Sequence, residues 1–275
     1  MNTTVTRTIS GVLFLAIMVS GLILHPYLYG ALMLVLLVGL LWEFYHMNLG
    51  QRHKVSRIIA IITGAALFVS VFCVHAFGVP HKFIGLSAFF LLTLMISTLL
   101  EKDLSYFRDS AILYTGLLYL AIPLALSNLV VFRGGPFDGR LMLAFFCIIW
   151  ASDVGAYCFG MLFGQKGGKK LFPSISPKKS WAGFWGGLLL AVVASAVLSW
   201  TGLFDFSIWH CLVLSVVMHV AGVYGDLFES MWKRSCGVKD SSQLIPGHGG
   251  LMDRFDSALF AIPAGFIYLV LFGLV

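Results

Sequence analysis

The chain alternates long apolar runs with short polar breaks. Nine runs have the length of membrane spans: Ile9 to His25, Tyr27 to Tyr45, Ile58 to Phe77, Phe83 to Leu100, Ala111 to Val131, Leu141 to Phe163, Trp181 to Phe204, Ile208 to Phe228 and Phe255 to Val275. A helix crossing about 30 Å of hydrocarbon at about 1.5 Å per residue needs about 20 apolar residues, and it pairs its backbone polar groups internally. Barrel strands would instead alternate in polarity over about 10 residues. Runs such as Ala31 to Leu41 are apolar on every side. The pattern predicts an all-α polytopic membrane protein with about nine transmembrane helices forming a single membrane domain over residues 1–275. The two longest polar connections, Gly164 to Ser180 and Glu229 to Arg254, are rich in Gly, Pro, Ser and Lys, and connections of this kind tend to carry function.

Composition agrees: of 275 residues, 59% are apolar and 11% charged, and the mean hydropathy is +0.94. These values exclude an ordinary soluble domain. The formal charge of +6 does not point to nucleic acid, because the basic residues gather in no soluble module. Topology accounts for them. With nine spans, fifteen of the 18 Lys and Arg fall on the amino-terminal side: Arg7; Arg52, Lys54 and Arg57; Lys102 and Arg108; Lys166, Lys169, Lys170, Lys178 and Lys179; Lys233, Arg234, Lys239 and Arg254. Only Lys82, Arg133 and Arg140 fall opposite. The asymmetry predicts a cytoplasmic amino terminus, a carboxyl terminus outside, and both polar connections in the cytoplasm. The five cysteines form no CxxC pair, so neither a disulfide framework nor a zinc site is expected. The first run lacks a small-residue cleavage site and reads as a retained span.

Candidate chemistry lies in the second half. Asp153 falls midway along the sixth run, where a carboxylate costs about 3 kcal/mol unless it is compensated. Tyr157 stands one turn later. A packing role for Asp153 is the alternative to a functional one. At the end of the eighth run, Asp226, Glu229, Ser230 and Lys233 share a helical face. Two carboxylates, a hydroxyl and a cation there suit a divalent metal beside a phosphate, although a solvated helix end would look the same. Before the ninth run, His248-Gly249-Gly250 precedes Asp253 and Asp256, whose i, i+3 spacing sets them on one helical face. Glycines at a helix start let backbone N–H groups approach a phosphate, while paired aspartates favour a cation. Ser176-Pro177-Lys178-Lys179 puts two lysines just before a span, where binding to lipid headgroups is the competing explanation.

From Ser230 to Asp256 the chain resembles the signature of the phosphatidate cytidylyltransferases, the CDP-diacylglycerol synthases. Ser230, Lys233-Arg234, Lys239-Asp240, Ser242, Ile245-Pro246, His248-Gly249-Gly250, Asp253-Arg254 and Asp256 stand at the family's spacing. Similar elements upstream are Asp153 with Ala156 and Tyr157, the stretch from Ser176-Pro177 to Gly183, and Gly225-Asp226. Trp232 departs from the usual aliphatic residue or Phe, and Ala182 stands where many members carry an acidic or amide residue. The resemblance implies transfer of the cytidylyl group of CTP to phosphatidate, with Mg²⁺ or another divalent cation as cofactor. Asp226, Asp253 and Asp256 would be metal ligands. Lys233, Arg234, Lys239 and Arg254 would bind phosphates, and Ser230 and His248 would orient headgroup oxygens. Asp153, Tyr157, Ser176, Lys178, Lys179, Gly249 and Gly250 would line the substrates. Residues 1–131 would be scaffold or lipid-access helices and 141–275 the catalytic part, in a bacterial inner membrane, with homodimer formation left open.

Phosphatidate carries its own anionic nucleophile, so no Ser or Cys nucleophile is required. Two other classes compete. A CTP-dependent lipid kinase would use similar groups but transfer the γ-phosphate. A transporter would suit the many spans and Asp153, but no pair of corresponding interrupted helices is evident. A CDP-alcohol phosphotransferase lacks support, because its tandem Asp motif is absent.

Overall fold

The computed structural model describes residues 3–99, 105–165, 168–244 and 249–275. It is 77% helical. Among the described residues eight helical segments are long and apolar enough to cross a membrane: Pro26–Leu49, Lys54–Phe77, His81–Leu99, Asp109–Val131, Arg140–Phe163, Trp181–Trp200, Ile208–Ser235 and Met252–Leu271. The apolar part of the first helix, Gly11–Ile23, is shorter. Each of the nine predicted runs is therefore helical, and the chain is a polytopic all-α membrane protein.

Two compact units make up the chain. The first, Met1–Asp138 with Asp240–Arg254, contains α1 (Thr3–Ile23), α2 (Pro26–Leu49), α3 (Lys54–Phe77), α4 (Gly85–Leu99), α5 (Ser105–Gly116) and α6 (Ile122–Val131). Helix α3 packs against α2, α4 and α6. Its core holds Tyr29, Leu37, Leu40, Phe44, Phe68 and Leu120, all fully or almost fully buried. Hydrocarbon offers no water to a buried hydroxyl, so buried polar groups pair internally, as Tyr29 Oη does with Ser127 Oγ at 2.5 Å. A π-turn over Leu117–Ala121 joins α5 to α6. Pro123 explains it: the ring has no N–H to donate and crowds the carbonyl one turn back, so the helix widens just before it.

The second unit, Gly139–Lys239 with Phe255–Val275, contains α7 (Arg140–Phe163), strands β1 (Lys170–Phe172) and β2 (Ser176–Ser180), α8 (Trp181–Trp200), α9 (Ile208–Ser235) and α11 (Ala258–Leu271). A short helix, α10 (Met252–Phe255), lies where the chain passes from one unit to the other. Helices α7 and α8 approach so closely that a Cβ at Gly155 would overlap the carbonyl oxygen of Gly186. Small residues allow that approach, which hydrocarbon does not drive by itself. Helix α9 packs against both α8 and α11.

Two local features depart from the pattern of apolar runs. The connection after α7 forms an antiparallel hairpin, β1 with β2. Its strands of 3 and 5 residues are too short to display alternation. The ninth run is also not one helix, because a turn at Asp256–Ser257 separates α10 from α11. Asp256 Oδ1 accepts the N–H of Ser257 at 2.6 Å, a local bond that competes with helix continuation. Asp253 and Asp256 thus belong to separate segments and do not share a helical face.

Candidate functional site

Helix α9 has 28 residues, a length of about 42 Å at about 1.5 Å per residue, which exceeds the hydrocarbon thickness of about 30 Å. The excess accommodates polar residues in its last turns. Glu229 is fully buried, and its Oε2 lies 2.6 Å from Lys233 Nζ one turn on. Ser230 Oγ donates to Asp226 Oδ1 at 3.3 Å. The turn before α11 adds Asp256, and carboxylate oxygens of Asp226, Glu229 and Asp256 lie within 4.8 Å of one another. Asp153, on α7, is a further carboxylate close enough to act electrostatically on Asp256, together with Asp226 and Glu229.

Strand β2 brings a cation to the same cluster. Lys179 Nζ lies 2.6 Å from Asp226 Oδ2. Alternation along a strand turns Lys178 and Ser176 to the other face, and Lys178 is exposed. The helix after β2 begins where it does because Ser180 is extended and its Oγ accepts the N–H of Gly183 at 3.2 Å, an N-cap. That cap joins the lysine-bearing strand directly to α8.

Hard divalent cations bind oxygens at about 2.0–2.6 Å, so two ligands of one ion stand at most about 5 Å apart. The spacing of Asp226, Glu229 and Asp256 meets that requirement, and the donors are of the right chemistry. Lys179 and Lys233 at its edge suit phosphate oxygens.

In the other unit, Asp253 sits in a hydrogen-bonded network. Its Oδ2 accepts from Ser241 N at 3.1 Å, Ser241 Oγ at 3.0 Å and Gly250 N at 2.8 Å. Glu43, from α2, accepts from Ser241 Oγ at 3.0 Å and from Met252 N at 2.8 Å. Sequence reasoning passed over both Glu43 and Ser241. An acidic residue within an apolar run was the signal for Glu43; nothing marked Ser241. It also missed His219, a buried histidine of α9 whose Nδ1 lies 2.7 Å from Ser152 Oγ, next to Asp153.

The remaining expected residues are more dispersed. Arg234 Nη1 donates to Val238 O at 2.9 Å and so closes the end of α9. Lys239 and Arg254 are exposed, and so is Tyr157, on the face of α7 that bears Asp153. Gly249 adopts φ +81°. His248 lies outside the described residues.

A polytopic helical protein with clustered carboxylates and lysines at a helix end has the equipment of a membrane-embedded enzyme of phosphate chemistry. Residues 5–272 match the model of the Cytidylyltransferase family. Phosphatidate cytidylyltransferase of Staphylococcus haemolyticus is 34% identical over 268 residues, covering 94% of this chain and 95% of that protein. The proteins of the same name from Staphylococcus epidermidis and Staphylococcus aureus are 34% identical over 264 residues and 32% over 263, with the same coverage. The chain therefore belongs to the phosphatidate cytidylyltransferase family and is a CTP-dependent nucleotidyltransferase.

Proposed function

We propose that this protein transfers the cytidylyl group of CTP to phosphatidate, giving CDP-diacylglycerol and pyrophosphate, at the cytoplasmic face of a bacterial cell membrane. The observation that carries the reading is the cluster of Asp226, Glu229 and Asp256 with Lys179 and Lys233 beside it. A phosphate oxygen of phosphatidate attacks the α-phosphorus of CTP, a new P–O bond forms, the bond to the β-phosphate breaks, and pyrophosphate leaves. Asp226 and Asp256 would hold a divalent cation, whose charge would offset repulsion between the two phosphates. Ser230 orients Asp226 through its hydrogen bond, and Lys179 and Lys233 take up phosphate oxygens. No protein nucleophile takes part, so configuration at phosphorus inverts and no cytidylyl-enzyme forms.

The test uses purified protein, Mg²⁺, phosphatidate and CTP labelled in separate samples at the α- or γ-phosphate. The α label is expected in a CDP-lipid and the γ label in pyrophosphate, with no reaction in excess chelator. Transfer of the γ label to lipid would replace this reading with a lipid kinase. Retention of configuration with a chiral α-thio-CTP would overturn the direct displacement.

A further inference from the structure

We infer that Glu43 is a positioning residue for Asp253: from α2 it holds Ser241 and the backbone at Gly250–Met252, and through them sets the orientation of Asp253. The inference rests on the reading of Asp253 as a working residue. Glu43 lies in a membrane-spanning helix and is 1% exposed, a placement that costs free energy unless its oxygens find donors. Both oxygens find them in the segment that carries Asp253. Oε1 accepts from Ser241 Oγ, and Oε2 accepts from Met252 N.

Ser241 is the link. Its hydroxyl oxygen stands 3.0 Å from Glu43 Oε1 and 3.0 Å from Asp253 Oδ2. A hydroxyl has one hydrogen, and here it stands between two carboxyl groups, so moving either moves the other. The approach is tight: a Cβ at Gly250 would overlap both Glu43 Oε1 and Ser241 Oγ. Glycine at that position is thus required by contact with Glu43. Asp253 Oδ2 accepts three hydrogen bonds from Ser241 and Gly250, the residues that Glu43 holds or touches. The amino-terminal half, which has no motif of its own, thereby contributes a residue to the signature segment.

Glutamine can fill the same role. Its carbonyl oxygen can accept from Met252 N while its amide donates to Ser241 Oγ, leaving the serine hydrogen for Asp253. Alanine cannot. The test compares Glu43→Ala, Glu43→Gln, Ser241→Ala and the double Glu43→Ala/Ser241→Ala, with Asp253→Asn in parallel, by steady-state kinetics per folded protein and by hydrogen exchange of the peptide 241–253. Glu43→Ala is expected to lower kcat by about 10- to 100-fold, as loss of an orienting partner does, and to quicken exchange in that peptide. Glu43→Gln is expected to recover most of both losses. The double variant should be no worse than the more impaired single one. Ser241→Ala leaves α2 untouched and keeps the test open if Glu43→Ala does not fold. Full kcat in Glu43→Ala, activity in Glu43→Gln as low as in alanine, or additive losses in the double variant would overturn the inference. An active Asp253→Asn would refute the reading of Asp253 instead, while the exchange measurement would still report whether Glu43 holds the segment.

Discussion

Two groups of carboxylates in this protein, each with one buried glutamate, Glu229 or Glu43, are neutralised in different ways. Asp226 and Glu229 face lysine ammonium groups at 2.6 Å, whereas Glu43 and Asp253 receive hydroxyl and backbone N–H donors. The difference matters for function. A lysine is a flexible point charge that can move to a phosphate when one arrives, leaving the carboxylate for a cation. Backbone donors are fixed by the fold and exchange with nothing. The first group is suited to charged substrates that come and go, and the second to holding Asp253 in one orientation.

The largest effect should come from neutralising the first group. Asp226→Asn and Asp256→Asn remove candidate metal ligands, and metal assistance supplies several kcal/mol, so a loss of about 1,000-fold in CDP-diacylglycerol formation is expected. Both variants should insert in the membrane and elute in detergent as the parent does. Substantial activity in both at saturating Mg²⁺ would remove the metal from the first group and collapse the contrast.

Next in size is the buried pair within that group. Lys233→Met leaves Glu229 buried without its ammonium partner, which should cost about 3–5 kcal/mol of stability, read as a lower midpoint of thermal unfolding in detergent. Adding Glu229→Gln should restore stability but not activity, because the phosphate-binding charge is still missing. Recovery of both would make the pair structural only. A smaller split is expected between the adjacent lysines of β2. Losing one charge-assisted bond of about 1.5 kcal/mol corresponds to about tenfold, so Lys179→Gln should raise a substrate KM by that factor. Lys178→Gln, on the opposite strand face, should change it little. Equal effects would mean that Lys179 is not singled out by its contact with Asp226.

How far the sequence announced this arrangement follows from the range of the interactions. The apolar runs became helical, because backbone pairing in hydrocarbon leaves few alternatives. The face of α9 bearing Asp226, Glu229, Ser230 and Lys233 was legible from spacing alone, since i, i+3, i+4 and i+7 fix it. Asp256 beside Asp226 was not, because it depends on a break in the helix at Asp256–Ser257, where the Asp256 side chain takes a backbone N–H. The link from Glu43 to Ser241 joins residues 198 positions apart, and no local pattern encodes it. The hairpin was hidden for a different reason: its strands are shorter than the period that would reveal them.

The smallest expected effect is a reaction rate, and it reports which side of the membrane the lysine-bearing group faces. Cys236 closes α9 just after Lys233 and Arg234, beyond the spanning segment. Burial pushes its thiol up from the ordinary range, and a bond with the Ser235 hydroxyl offsets this only in part. The thiolate is the reactive form, so an impermeant maleimide should label a variant retaining only Cys236 more slowly at pH 7 than it labels a small exposed thiol. The rate should rise by up to about tenfold per pH unit until the thiol is ionised, and the gap from the reference thiol should narrow as it does. Labelling is expected in inverted vesicles and not from outside intact cells, in line with the asymmetry of Lys and Arg. Labelling from outside would reverse the orientation and place the lysines where cytosolic CTP cannot reach them. A rate at pH 7 equal to that of the reference thiol would mean that the end of α9 is open to water, and the burial that sets Glu229 and Lys233 apart from an ordinary surface pair would not extend to it.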